Sequence, residues 1–168
     1  MKTLFGIVIS LLVLWVSIIP SDALAASSAS VTSNNTSFED KKLIGENFTG
    51  HSLQEAQFTN VDLSSTNFSG VNLIGSVFNG ALLEKSNLHG ADLSYAISYV
   101  SSFNHANLTD AILVGSILKR TTFAEADITG ADFTDASLDQ SELKRLCKVA
   151  SGVNSKTGIS TKDSLECS

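Results

Sequence analysis

From Phe38 to Leu143 every fifth residue is Phe, Leu or Ile, and Ser98 is the one departure. The series crosses Ser98 unshifted and resumes at Phe103, with no insertion or deletion anywhere along it. An α-helix turns about 100° per residue, so a step of five rotates successive apolar side chains by roughly 140° and leaves no common face. In a flat strand an odd step sends each side chain to the opposite face of the sheet. The spacing becomes usable if the chain bends once in every five residues, each repeat forming one side of a coil. A short fixed period of this kind is the signature of a solenoid, in which each unit buries its apolar face only by stacking on its neighbours.

The residue two places before each large one agrees with this. From Ala56 to Ser141 it is always Ala, Val, Ser or Thr. Large and small residues that both point inward fill a narrow core at ordinary packing density. The residues flanking the large one are mostly Asn, Asp, Ser or Thr and face outward. Gly recurs two places after it, as at Gly45, Gly70, Gly90 and Gly130, where the chain turns a corner.

Units such as Ala91-Asp92-Leu93-Ser94-Tyr95, Ala106-Asn107-Leu108-Thr109-Asp110 and Ala131-Asp132-Phe133-Thr134-Asp135 resemble the A-(D/N)-(L/F)-x-x motif of the pentapeptide-repeat family. The resemblance implies an all-β solenoid, a right-handed quadrilateral β-helix with four repeats per coil. Residues 38–143 would make about five and a half coils, roughly 26 Å long at the spacing of stacked strands.

The chain opens differently. Met1 and Lys2 precede an apolar run from Leu4 to Ile19, followed by Pro20, Ser21 and the small-x-small triplet Ala23-Leu24-Ala25. This pattern predicts a Sec signal peptide over residues 1–25, cleaved after Ala25, and no membrane attachment thereafter. An uncleaved anchor is the alternative, for which the run is short. Residues 26–37 are almost all Ala, Ser, Thr and Asn and are expected to form a flexible linker.

Export gives the two cysteines their meaning. Cys147 and Cys167 are the only ones and both follow the repeats, so they are expected to form a disulfide. The stretch from Ser141 to Lys148 reads as helical, with Asp139 and Glu142 spaced as a capping box. A solenoid end exposes apolar side chains and unpaired strand edges, so residues 144–168 are assigned as a helical, disulfide-linked cap. This tail, from Leu146-Cys147-Lys148 to Leu165-Glu166-Cys167, resembles the extension of the thylakoid-lumen and periplasmic members of the family in cyanobacteria and chloroplasts. The resemblance implies an exported protein, lumenal or periplasmic, of cyanobacterial type.

No catalytic constellation is visible. His51, His89 and His105 fall on different parts of the coil, and no cysteine lies beside them. His51 occupies an inward small position of the first coil, which it fits poorly. No Ser-His-Asp arrangement and no phosphate loop can be placed. A non-enzyme without cofactor or metal is expected.

With four repeats per coil, residues 20 apart stack in columns. Asn47, Asn67, Asn87 and Asn107, then Asp127, form one that can hydrogen-bond along the axis. Val77, Ile97 and Ile117 form another, outward and apolar, with Tyr99 beside Ile97. Contiguous outward apolar residues mark a contact surface. These four are the candidate interface for an unidentified protein partner. They are also open to a plainer reading, as branched side chains favoured on any stacked sheet. Ser98 leaves open a local bulge that would turn Ile97 inward and break the patch.

The net charge is −6 and stays there when Lys2 and Asp22 are removed with the leader. That sign opposes direct binding of nucleic acid. Cytoplasmic members of the family imitate DNA with an acidic β-helix and inhibit gyrase, which is the alternative function. Here Lys119, Arg120, Lys144 and Arg145 interrupt the acidic residues late in the solenoid. The expected role is a monomeric, rigid, protein-binding scaffold.

Overall fold

The structure, a computed structural model, describes residues 36–167. The expected signal segment, and the expected linker up to residue 35, lie outside the described residues.

Six short strands form one parallel sheet in chain order: β1 (Ser37–Glu39), β2 (Gln57–Thr59), β3 (Val77–Asn79), β4 (Ile97–Tyr99), β5 (Ile117–Leu118) and β6 (Ser137–Leu138). Their register advances by one coil per strand, with Phe38 opposite Phe58, Phe58 opposite Phe78 and Phe78 opposite Ser98. We call this sheet side I. The other three sides are ladders of single parallel bridges in the same 20-residue register. Lys42 pairs with Asp62 on side II, Asn47 with Asn67 on side III, and Ser52 with Asn72 on side IV. The solenoid reading therefore holds, with five full turns between Phe38 and Leu138.

Each corner has a local cause. On sides II to IV the residue after the corner donates its N–H to the carbonyl three places back, as Ala56 does to Leu53 at 3.1 Å. The corner residue takes a positive φ, which is 66° at Gly70 and 58° at His105. The Asx residue of the motif closes the same bend. Asn67 Oδ1 accepts the N–H of Ser69 at 3.1 Å, and Asp92 Oδ1 that of Ser94 at 3.0 Å. This is why the motif favours Asp or Asn before the central apolar residue.

The core is the stack of central residues. Phe38, Phe58 and Phe78 are parallel on side I at centroid spacings of 5.0 and 4.9 Å. Phe103 and Phe123 continue the stacking on side II at 5.3 Å. Small inward residues fill between them, and most of their hydroxyls find a carbonyl nearby, Ser76 being a buried exception without a partner. Thr66, Ser86 and Ser116 each donate to the carbonyl three residues earlier at 2.6–2.7 Å.

Three expectations change in detail. The five-residue period outlasts the coil, for Leu143 lies in helix α1 (Gln140–Leu146) and the Leu143 N–H bonds back to Asp139 O at 2.9 Å. Gln, Glu, Leu, Lys and Arg are all good helix formers, and no corner glycine interrupts them. Asp139 does stand at the N-cap of α1 but makes no capping bond. Its carboxylate Oδ2 instead accepts the N–H of Arg120 at 2.8 Å, across to the preceding coil. His51 is exposed, its ring edge-on to Phe48 at 6.1 Å, because the first coil has no described coil before it to enclose the side chain.

The cap is present and more extensive than a lid. Cys147 and Cys167 form a disulfide joining the end of α1 to the end of the tail. Helix α2 (Thr161–Ser164) seats Ser164 so that its hydroxyl accepts the N–H of Phe133 at 3.0 Å, a donor that no further coil receives. The tail also climbs the corner between sides III and IV. Asn154, buried, donates to the carbonyls of Asp110, Ala111 and Gly130 at 2.8–3.3 Å. Lys156 Nζ reaches Gly90 O at 2.8 Å, two coils above Gly130.

Candidate docking surface

Side I carries the candidate interface, and the structure brings all four expected residues together on it. Val77 pairs with Ile97, and Ile97 with Ile117, in consecutive strands. Val77 is half-buried, while Ile97, Tyr99 and Ile117 are 41–45% exposed.

No bulge forms at Ser98. It points inward in register with Phe78 and is buried, which leaves Ile97 outward. The phenyl stack of side I ends above Ser98, and Phe103 takes over one side further on, its ring 6.1 Å from that of Phe78 and steeply inclined to it. The smaller serine coincides with the arrival of a phenyl group on the adjacent side of the same coil.

Two residues that the sequence reading passed over complete the surface. Tyr95 and Val100, at the corners flanking β4, are 66% and 45% exposed. Both take positive φ, 58° and 55°. For a β-branched residue such as Val100 that conformation is strongly disfavoured. One coil earlier the same two corners are Gly75 and Gly80. The coil of β4 thus presents Tyr95, Ile97, Tyr99 and Val100 to solvent and Ser98 to the core. On this side of this coil the usual arrangement is inverted. The one hint in the sequence is that these two residues stand at corner positions where Gly recurs, but neither announces a positive φ as Gly does.

A cationic edge adjoins the patch. Arg120 lies over the Tyr99 ring, 5.5 Å from its centroid, and its Nη1 donates to the Tyr99 hydroxyl at 3.3 Å. That hydrogen bond, then the electrostatics of Tyr99, holds the guanidinium above its ordinary pKa. Lys119 Nζ donates to Leu138 O at 2.7 Å and lies 4.0 Å from the Asp139 carboxylate.

Elsewhere polar side chains brace the coil. Asn107 Nδ2 donates to Asn87 Oδ1, and Asn87 Nδ2 to Asn67 Oδ1, both at 3.2 Å. The Asn column is therefore a ladder along side III. Asp132 is buried beneath the tail. Burial pushes its pKa up, but hydrogen bonds from the Thr134 and Thr157 side chains and the Thr134 amide outweigh this and leave it below the ordinary value. His89 Nδ1 meets Thr109 Oγ1 at 2.7 Å, and His105 Nδ1 meets Glu125 Oε2 at 3.3 Å. Among the described residues no group of three His, Cys, Asp or Glu side chains is placed to hold a metal, and no helix is long and apolar enough to cross a membrane. A recess of about 360 Å³ lies at the seam between the last coil and the cap, lined in part by Phe133, Leu138, Leu143 and Leu165.

The geometry agrees with comparisons to known proteins. A crystal structure of a pentapeptide repeat protein from the Arabidopsis thaliana thylakoid lumen superposes with a TM-score of 0.74. It is 40% identical in sequence, and the match covers 76% of this chain and 88% of that one. Two curated Arabidopsis thaliana proteins match more briefly. Thylakoid lumenal 15 kDa protein 1, chloroplastic, is 53% identical over 47 residues, 28% of this chain and 21% of that protein. Thylakoid lumenal protein TL20.3, chloroplastic, is 50% identical over 42 residues, 25% of this chain and 15% of that protein. The chain thus spans well under two thirds of either curated relative, and the lumenal location of all three agrees with the exported compartment read from the sequence. The family model for pentapeptide repeats matches eight copies over residues 34–70, 66–97 and 101–140. The chain belongs to the pentapeptide-repeat family.

Proposed function

We propose that this protein is a non-catalytic structural and protein-binding member of its family. It works in an exported compartment, the thylakoid lumen or a periplasm, as a rigid scaffold for a protein partner. The apolar run from Leu4 to Ile19 and the lumenal relatives support the compartment. One observation carries the binding role, namely the inversion at β4, with Tyr95, Ile97, Tyr99 and Val100 outward and Ser98 inward. The coil of β3 places Phe78 inside and Gly75 and Gly80 at its corners. The corners of side I elsewhere carry glycine or polar residues such as Glu55, Asn60 and Arg120, so an apolar pair there is particular to the coil of β4. Backbone strain and exposed apolar groups that persist together point to a surface kept for contact.

Stacked coils fix the spacing of these side chains, so docking orders little that is not already ordered. DNA mimicry has less support, since Arg120 and Lys119 form a cationic edge beside the candidate surface, and Lys144 and Arg145 lie on the exposed part of α1.

Affinity capture tests the reading. The tagged chain from Ala26 onward is exposed to an extract of the exported compartment, beside the variant Ile97→Asp/Ile117→Asp. Retention by the wild type and loss by the folded variant is the expected result. Equal retention by both would remove side I from the account.

A further inference from the structure

Resting on side I as the docking surface, we infer that its occupant is a second copy of this chain. The two copies lie face to face and antiparallel about a two-fold axis through the coil of Ile97.

A two-fold axis lying in the face and perpendicular to the solenoid sets the row of Ile97 on its own copy. It sets the coil of Val77 on that of Ile117. The apolar column then meets its own reverse along its whole length, Ile97 on Ile97 and Val77 on Ile117. Tyr99 meets Tyr99, and Gly75 meets Gly115, on which the Tyr95 ring already lies closely enough to exclude a Cβ. The other face-to-face arrangement, with the axis along the solenoid, sets Ile97 on Tyr99 and Ile117 on Lys119. It would press an ammonium group against isoleucine, so it is disfavoured.

Charge fits the antiparallel register. Lys119 and Arg120 fall opposite Asn79 and Gly80, and Asp139 falls opposite Thr59. One like-charge opposition remains, Glu55 against Asp135 at the corner, where both are exposed and salt screens them. The pairing is isologous and closes at two copies, so it does not propagate into fibres.

Other parts of the surface are engaged. The tail occupies the corner between sides III and IV, diagonally opposite the corner that bears Val100, and the cap closes the C-terminal end. Side I measures roughly 16 by 24 Å from strand rise and spacing. A footprint of that size, roughly 380 Å² per copy, falls short of the roughly 1,000 Å² in total that a stable specific interface buries, which makes the dimer weak, reversible and dependent on concentration.

Sedimentation velocity of the exported, disulfide-closed protein over a wide concentration range tests this. Monomer should give way to dimer as concentration rises. Because both copies carry a charge of −6, raising the salt from low to physiological should tighten the dimer roughly fivefold. Ile97→Asp should weaken it at least tenfold, roughly, by burying facing carboxylates. Tyr99→Ser, a milder change on the same row, guards against a folding defect in the first variant. Oxidation should cross-link Ile97→Cys to its own copy, whereas Thr122→Cys on side II should stay uncoupled. A monomer at every concentration, or a dimer untouched by Ile97→Asp, overturns the inference. A monomer that still holds another protein through side I, lost in Ile97→Asp, overturns the dimer and leaves the docking surface standing.

Discussion

The hydroxyl of Thr121 donates to the backbone carbonyl of Ser98 at 2.9 Å and lies 3.2 Å from the Ser98 hydroxyl, with both residues buried. This contact gives the one polar central residue of the core a partner, at the level where the phenyl stack steps from side I to side II. A buried hydroxyl left alone would cost about 1–3 kcal/mol. Satisfied in this way, Ser98 keeps its coil in register while Phe103 occupies the adjacent side.

The step in the stack can be tested by exchange. Ser98→Phe alone overpacks the coil and should destabilise the protein by about 1–3 kcal/mol in urea unfolding. Adding Phe103→Leu recreates the Phe78–Leu83 pattern of the preceding coil and should recover at least about half of that loss through coupling between neighbours. A double variant no better than the sum of its parts would show that the two sites do not share space.

Val100 stands at a corner where the preceding coil has glycine, with a φ of 55°. Left-handed backbone costs an L-residue about 1–2 kcal/mol, partly offset by the greater freedom that glycine has when unfolded. Val100→Gly should therefore stabilise the fold by about 0.5–1 kcal/mol while weakening side I contacts. A destabilised Val100→Gly would mean that the valine side chain supports the coil itself.

Asn154 holds three carbonyls from two coils with one amide group. Asn154→Ala removes the amide from the Asp110 and Gly130 carbonyls, while Ala111 O keeps the Asp132 N–H at 2.9 Å, and should cost about 2–3 kcal/mol. Asn87→Ala, in the half-exposed ladder of side III, should cost nearer 1 kcal/mol, roughly the net value of an ordinary hydrogen bond. Urea denaturation of the two variants side by side checks the order.

The folded pKa of Asp132 lies below its unfolded value, so the sign of its linkage is fixed. Its contribution to stability is complete above the ordinary carboxylate pKa of about 4 and is lost as pH falls through the lower folded value. Thermal unfolding from neutral to acid pH should show this fall. Asp132→Asn should flatten that part of the profile, and an unaltered profile would place the acid sensitivity elsewhere.

The five-residue period made the coil, its register and its core legible in advance, because one spacing dictates both which residues point inward and what they stack upon. The outward column of Val77, Ile97 and Ile117 followed from the same arithmetic. Three features did not. Tyr95 and Val100 sit at corners, where a positive φ is a backbone property that a Tyr or Val does not advertise as Gly does. Asp139 has the spacing of a capping box, but the carboxylate finds the Arg120 N–H across the coil, a contact that local sequence cannot reveal. The climb of Asn154 and Lys156 along the corner between sides III and IV depends on where the tail leaves α1, which no repeat fixes.

Amide chemical shifts of the labelled protein, followed as its concentration rises, are the sharpest test of contact through side I. Changes should be confined to side I around β4, at Tyr95, Ile97, Tyr99 and Val100, and along its column to Val77 and Ile117. Shifts gathered at the ends of the solenoid or along the corner held by Asn154, or none at any concentration, would contradict it.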